Sequence, residues 1–103
     1  MAEILQEKNS FARCYVADTD AQAVGAMNAF MAKGYRVPKD IALIGFDNSS
    51  HSRESQPPLT TIDAYPEVMA ATSLDRLLDI IAEKDTVPLK IEIGTTLIER
   101  DST

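Results

Sequence analysis

Apolar residues in the first half of the chain follow a strand, helix, strand order. The segment "FARCYVAD" is rich in aromatic and β-branched residues, which favours a strand near residues 13–17. The segment "IALIGF" is a nearly continuous apolar run, typical of a strand covered on both faces, near residues 41–46. Between them, apolar side chains at helical spacing predict a helix near residues 19–33: Ala23, Val24, Met27, Phe30 and Met31. This order predicts an α/β fold with two parallel strands joined by a right-handed crossover.

Both ends of this helix carry recognisable signals. Thr19 and Gln22 form a Thr-x-x-Gln capping box, in which the threonine hydroxyl accepts a hydrogen bond from a first-turn N–H group. Gly34 follows the last apolar position, where a left-handed residue commonly ends a helix. Thr19 is therefore predicted as the N-cap, and Gly34 as the first residue after the C-cap.

The second half of the chain predicts one long helix between extended segments. The segment "LTTI", residues 59–62, favours a third short strand, and a helix is predicted at residues 66–83 with Pro66 in its first turn. Its apolar stripe consists of Leu74, Leu77, Leu78 and Ile81. The segment "LKIEIG" then alternates apolar and polar residues, and "TTLIER" continues the chain. At the other end, "AEILQEK", residues 2–8, is predicted to be helical.

Composition narrows the classes of function. The chain has 103 residues and a net charge of −6, which disfavours direct nucleic-acid binding because phosphates require a basic face. Cys14 is the only cysteine, so we predict neither a disulfide nor a cysteine-based zinc site. It lies in the apolar run "CYVA", which predicts a buried, inert thiol. No apolar stretch reaches membrane-spanning length, and the first residues lack the pattern of a signal peptide. We therefore expect a cytoplasmic protein with no membrane segment and no cofactor.

Acidic and small polar residues follow both predicted parallel strands. Asp18, Thr19 and Asp20 come after the first strand, and Asp47 and Asn48 come after the second. Parallel strands place these ends on one edge, where open α/β sheets bind ligands. Carboxylates there can accept hydrogen bonds from sugar hydroxyls or bind Mg²⁺. Capping and ligand contact are equally good explanations of Asp20, whereas no helix is predicted next to Asp47, which favours a binding site.

A Mg²⁺-dependent phosphotransfer or receiver-like domain is the alternative that these aspartates suggest. It would use Asp18, Asp20 and Asp47, but D-x-D is a common string, and no lysine is placed to complete phosphate handling. His51 has no serine or cysteine nucleophile on a recognisable elbow. Its polar neighbours predict a solvated or interface loop.

The combination "VADTDAQAVGAM", "GYRVPKDIALIGFDNS" and "PPLTTID" resembles the lactose/galactose repressor family, and the similarity extends to the closing "LIERDST". The resemblance implies a periplasmic-binding-protein-like, Rossmann-like lobe that is an incomplete fragment. Residues 1–103 would form the C-terminal portion of an effector-binding domain, with the DNA-binding headpiece and the first lobe absent. The implied function is non-enzymatic transcriptional repression controlled by a small-molecule effector, a sugar or sugar derivative, with operator DNA contacted only through the headpiece. A periplasmic sugar-binding protein has the same lobes and is a further alternative.

The resemblance also implies individual roles. Asp47 matches an aspartate that often binds effector hydroxyls. Thr19 and Asp20 match an Asn-Asp pair whose first position commonly faces the effector. The resemblance therefore implies that Asp47, Thr19 and Asp20 bind the effector. Ala64 stands where the family often has a glutamine at the lobe hinge, so this chain lacks that side-chain hydrogen bond. Family members dimerise through this lobe, and the matching surface comprises residues 51–55 with Val24 and Asn28. We therefore expect a homodimer, in which the helix at residues 66–83 is a candidate for exchange between chains.

Overall fold

The computed structural model describes residues 12–83 and 87–103, and the predicted helix at residues 2–8 lies outside them. The elements in chain order are β1 (Cys14–Val16), α1 (Asp20–Ala32), β2 (Ala42–Ile44), α2 (Ser50–Glu54), β3 (Thr61–Asp63), α3 (Pro66–Ile81) and β4 (Thr96–Ile98). This order confirms the predicted α/β class. In the described part of the chain, no helix combines the length and apolarity that a membrane span requires.

The strands form two short pairs that meet at the end of β2. β1 and β2 are parallel, with Cys14 opposite Ala42, and α1 is the crossover between them, as predicted. β3 and β4 are antiparallel, with Thr61 opposite Ile98. A parallel bridge between Ile44 and Thr60 places the start of β3 beside the end of β2. Through this bridge, the pair of β3 and β4 lies next to the carboxyl end of β2.

The core lies between α1 and one face of the parallel pair. Its buried apolar side chains are Ala23, Ala26, Met27, Phe30, Ile41, Leu43 and Leu59. From residue 41 to residue 44, buried Ile41 and Leu43 alternate with half-buried Ala42 and Ile44. Within the described residues, the packed helix covers one face of this strand fully, and the other face is only partly covered.

The ends of α1 confirm the capping signals. The hydroxyl of Thr19 accepts a hydrogen bond from the N–H of Gln22 at 3.2 Å. At the other end, Gly34 has a φ of +91°, and its N–H donates to the carbonyl of Met31 at 3.0 Å. The N–H of Tyr35 reaches the carbonyl of Phe30 at 3.1 Å, which completes a Schellman motif.

Two expectations about the N-terminal half are corrected. Cys14 is exposed, not buried, because β1 is the outer strand of the described sheet and its side faces solvent. The predicted polar loop around His51 contains α2, a helix of 5 residues whose N-cap position is Ser49. A helix therefore does begin close to Asp47, and that part of the argument for a binding site no longer holds.

The helix α3 lies apart from the core. None of its residues is buried, and its predicted stripe of Leu74, Leu77, Leu78 and Ile81 is 52% to 68% exposed. Leu89 and Ile91, which follow α3 in the chain, line an open recess of about 310 Å³ with this helix and are themselves exposed. The radius of gyration is 18.4 Å, whereas a compact domain of this length has one of about 13 Å.

Candidate functional site

The carboxyl ends of β1 and β2 meet at one edge of the sheet, as predicted. The N–H of Ala17 donates to the carbonyl of Ile44 at 2.9 Å, and the N–H of Asp20 donates to the carbonyl of Phe46 at 2.9 Å. The residues after β2 therefore lie against the start of α1. In open α/β sheets this is the edge where ligands bind.

Asp20 is buried beneath this edge and holds two other segments in place. Its Oδ2 accepts hydrogen bonds from the N–H of Ser49 at 2.6 Å and from the hydroxyl of Ser49 at 2.9 Å. Its Oδ1 accepts from the hydroxyl of Thr61 at 2.5 Å. The side chain is 1% exposed, and its negative charge lies at the N-terminus of α1, where the helix dipole stabilises it. This geometry favours a role in holding the edge together, and contact between Asp20 and an effector stays a prediction.

Asp20 fits here because residue 45 has no side chain. A Cβ atom on Gly45 would lie 2.3 Å from Oδ1 of Asp20 and 2.7 Å from Cδ2 of Leu59. Both distances are far below van der Waals contact. The glycine in "IALIGF" therefore provides the space for the buried carboxylate.

Asp47 and Asn48 both have left-handed backbone, with φ of 114° and 53°. Residues other than glycine rarely adopt this conformation, so the surrounding structure must hold it. The N–H of Asp47 donates to the carbonyl of Ile62 at 2.9 Å, and the N–H of Asn48 donates to the hydroxyl of Thr61 at 3.2 Å. The loop is thus fixed to β3 while the Asp47 residue itself stays exposed at the edge.

Asp47 lines an open recess of about 300 Å³ that we call the edge recess. Its lining residues are Asp47, Asn48, Asp63, Tyr65, Pro66, Glu67 and Val68. The carboxylate of Asp63 accepts from the N–H of Tyr65 at 2.8 Å and from the side chain of Asn48 at 3.4 Å. Within the described parts of the chain, no hydrogen bond engages the carboxylates of Asp47 and Glu67. The recess therefore offers free acceptors and no basic side chain, which suits a ligand that donates hydrogen bonds.

The other predicted residues lie outside the edge recess. Thr19 uses its hydroxyl to cap α1 and does not line this recess. Asp18 lines a separate recess of about 500 Å³, whose walls come mainly from β1 and α1. Ala64 lies half-buried in the connection between β3 and α3, next to Tyr65, whose hydroxyl pairs with that of Thr96 at 2.5 Å. The structure therefore brings Asp47 and Asp20 into one hydrogen-bonded edge and leaves Thr19 and Asp18 beside it.

The geometry does not favour the Mg²⁺-dependent alternative. Among residues 12–83 and 87–103, no three histidine, cysteine, aspartate or glutamate side chains come together in a way that could hold a metal ion. Asp18 and Asp47 line different recesses, and both oxygens of Asp20 accept hydrogen bonds from Ser49 and Thr61.

Arg100 belongs to this edge although the sequence did not single it out. Its Nη2 donates to Oδ1 of Asn48 at 2.8 Å, and its Nη1 donates to the hydroxyl of Ser52 and the carbonyl of Leu59, both at 3.0 Å. The closing "LIERDST" was the available signal, because it resembles the ending of the repressor family. Nothing in the local pattern connects it to a loop that lies 52 positions earlier in the chain.

A separate ion pair shapes the turn before β2. The side-chain hydrogen bond from Arg36, together with its backbone N–H, lowers the pKa of the Asp40 carboxyl, and Asp40 in turn raises the pKa of Arg36. Nε of Arg36 lies 3.2 Å from Oδ2 of Asp40 in an exposed setting. Such pairs add little stability, so the contact mainly orients the turn.

Comparison with protein families gives one match that spans residues 6–103, described as a periplasmic binding protein-like domain. Among curated proteins, the chain is 42% identical over 83 residues to a probable HTH-type transcriptional repressor, ExuR, of Bacillus subtilis strain 168, covering 81% of this chain and 25% of that protein. It is equally similar to the HTH-type transcriptional repressor PurR of Escherichia coli O1:K1 / APEC, of which it covers 24%. The chain thus spans about a quarter of the length of these relatives.

Solved structures give the same relationship. The transcriptional regulator CelR in complex with cellobiose matches with a TM-score of 0.93 and 27% identity, over 99% of this chain and 31% of that one. The Lac repressor dimer bound to operator and the anti-inducer ONPF matches with a TM-score of 0.90 and 31% identity, over 99% of this chain and 35% of that one. These neighbours confirm the fold that the sequence resemblance implied.

Proposed function

The chain belongs to the family of periplasmic binding protein-like domains, in the form found in LacI-type transcription regulators, and we propose that it is the effector-binding portion of a bacterial transcriptional repressor. Residues 1–103 would form the C-terminal part of the effector domain. A DNA-binding headpiece and a first lobe would belong to other parts of the full-length protein. The relatives named above are repressors, which favours this function over a periplasmic sugar-binding protein.

The observation that carries the proposal is the position of Asp47. Its backbone is fixed by a hydrogen bond to Ile62 and continues into a loop that Asp20 holds through Ser49. Its carboxylate accepts no hydrogen bond from the described residues and lines the edge recess. A charged acceptor held rigidly without a partner is what a hydroxyl-bearing ligand requires.

The proposed effector is a sugar or a sugar derivative. The edge recess has a volume of about 300 Å³, which is at the small end of ligand pockets, as expected where only one wall of a cleft is present. Its free carboxylates match the vicinal hydroxyls of a sugar. The solved CelR complex holds cellobiose, so a carbohydrate is compatible with this fold.

Thr19 and Asp20 take different parts in this proposal. Thr19, at the neighbouring strand end, is the candidate for a second polar contact once the opposite lobe closes the cleft. Asp20 acts through Ser49 and Thr61, whose positions it fixes, because its buried oxygens are already occupied. Ala64 contributes no side-chain hydrogen bond to the effector.

Regulation would follow from lobe closure. An effector that binds the closed arrangement more tightly shifts the protein towards it, and the headpiece would convert this shift into a changed affinity for operator DNA. We propose a cytoplasmic, non-enzymatic homodimer that contacts DNA only through the headpiece. The dimer surface would comprise α2 and the exposed side of α1 at Val24 and Asn28.

The test is Asp47→Asn in the full-length protein, titrated by calorimetry with neutral mono- and disaccharides that include cellobiose. We expect affinity for the sugar that binds to fall by about 1.5–3 kcal/mol, the scale of a hydrogen bond to a charged group. The fold should persist, because the substitution is nearly isosteric.

Asp101→Asn is the matched control, since it removes an exposed carboxylate away from the edge recess and should leave affinity unchanged. If the Asp47→Asn and unaltered proteins bind the sugar with equal affinity, Asp47 does not contact the effector. A Mg²⁺ titration followed by NMR tests the phosphotransfer alternative. Chemical shifts that change only at Asp18, Asp20 and Asp47 would support it.

A further inference from the structure

Asn48, whose backbone is left-handed, is contacted by a residue from the far end of the chain. Asn48 has a φ of 53° and follows Asp47, whose φ is 114°. Residues other than glycine adopt positive φ uncommonly, although asparagine and aspartate do so more often than the rest. Specific contacts therefore help to compensate for the backbone strain of this loop. The backbone hydrogen bonds of the loop provide one part of that compensation, and the side chain of Asn48 provides another.

The guanidinium of Arg100 holds the side chain of Asn48 from one side. Its Nη2 donates to Oδ1 of Asn48 at 2.8 Å, while Nη1 is fixed by the hydroxyl of Ser52 and the carbonyl of Leu59. A planar guanidinium can serve these acceptors at once, whereas the single ammonium of lysine cannot match that geometry. The amide of Asn48 then reaches Asp63 at 3.4 Å, across the edge recess.

The backbone of Arg100 is held next to Thr60, the residue that pairs with Ile44 at the end of β2. Its N–H donates to the hydroxyl of Thr60 at 2.9 Å. Nearby, the buried hydroxyl of Ser102 accepts from the N–H of Thr60 at 2.8 Å and donates to the carbonyl of Leu43 at 2.5 Å. The N–H of Leu43 returns to the carbonyl of Ser102 at 3.0 Å. The residues after β4 therefore fill the gap between β2 and β3 and fix the starting point of the Arg100 side chain.

We propose that Arg100 is a positioning residue for effector binding: it holds Asn48 in its left-handed conformation and thereby fixes Asp47 at the edge recess. This role rests on the proposed effector function of Asp47, but its structural part does not. Without the guanidinium, the strained loop would relax towards negative φ and Asp47 would lose its fixed position.

The experiment uses a double-mutant cycle of Arg100→Gln and Asn48→Gly in the full-length protein. Glycine adopts positive φ without strain, so the loop should no longer need Arg100 once residue 48 is glycine. The first measurement is hydrogen exchange by mass spectrometry, in a peptide over residues 45–50 and in a reference peptide over residues 23–32. The second is calorimetric titration with cellobiose.

We expect Arg100→Gln to accelerate exchange at residues 45–50 only and to weaken cellobiose binding about tenfold or more. In the Asn48→Gly background the same substitution should change affinity by less than about threefold, since there is no strained side chain left to hold. Arg100→Lys, which keeps the charge without the fork, should give an intermediate loss. Arg36→Gln is the matched control, because it removes a guanidinium from an exposed pair outside the site, and it should leave both measurements unchanged.

Faster exchange in both peptides, or an undiminished effect in the Asn48→Gly background, would overturn the positioning role and identify Arg100 as a general structural residue. If the unaltered protein does not bind cellobiose, cellobiose is excluded as the effector. The exchange measurement still decides the role of Arg100 in that case, because it needs no ligand.

Discussion

At the scale of single residues, the absence of a Cβ atom at Gly45 makes room for the buried carboxylate at the sheet edge. Oδ1 of Asp20 lies 2.3 Å from where a Cβ on residue 45 would be. We predict that Gly45→Ala lowers the free energy of unfolding by about 1–3 kcal/mol, because the buried carboxylate or Leu59 must move. Urea denaturation of this chain measures the change.

Gly25→Ala is the matched control for this substitution. Gly25 lies inside α1, and a Cβ atom added there would meet no heavy atom within 4 Å outside its own stretch of helix. Alanine there should raise the free energy of unfolding by about 0.5–1 kcal/mol, because glycine is unfavourable within a helix. Similar losses at both glycines would contradict the close contact with Asp20.

Among the elements, α1 depends most visibly on its first residue. Thr19→Ala removes the acceptor for the N–H of Gln22 and should lower the free energy of unfolding by about 1 kcal/mol. Thr19→Ser keeps the cap and should behave like the unaltered chain. If thermal or urea denaturation shows no difference between the two variants, the hydroxyl of Thr19 does not stabilise the helix, and its effector role becomes the better explanation of the residue.

The whole molecule exposes more surface than a compact chain of its size. Its accessible area is 7144 Å², against roughly 5700 Å² for a compact monomer of 11.3 kDa. The apolar stripe of α3 accounts for part of this. Its four side chains are 52% to 68% exposed, and leaving that area in water costs on the order of 3–8 kcal/mol. We predict that the isolated chain forms a homodimer that covers this stripe. Sedimentation at high micromolar concentration tests it, and a monomer that unfolds cooperatively would contradict the prediction.

The same open shape limits binding by the isolated chain. The edge recess is one wall of the proposed cleft, and the opposite wall would come from another lobe. We therefore predict that residues 1–103 alone bind sugars no better than millimolar, about −4 kcal/mol. Micromolar binding in a calorimetric titration would show that the described wall is sufficient.

The sequence by itself determined the elements, because their signals are local. Helical spacing located α1 and α3, the Thr-x-x-Gln box located the start of α1, and Gly34 marked its end. The apolar run before Asp47 predicted a parallel strand whose end lies beside that of β1, and the structure confirms this. The family, too, followed from motifs that are continuous in the chain.

Only the tertiary structure decided which polar side chains are free and which are engaged, because that depends on residues far apart in the chain. Asp20 and Asp47 look alike in sequence, yet Ser49 and Thr61 occupy the first while the second stays open. The apolar neighbours of Cys14 predict burial, but its burial depends on an adjacent strand that a local pattern does not specify. The link from Arg100 to Asn48 joins residues 52 positions apart, and hydrophobic periodicity carries no information about such a contact.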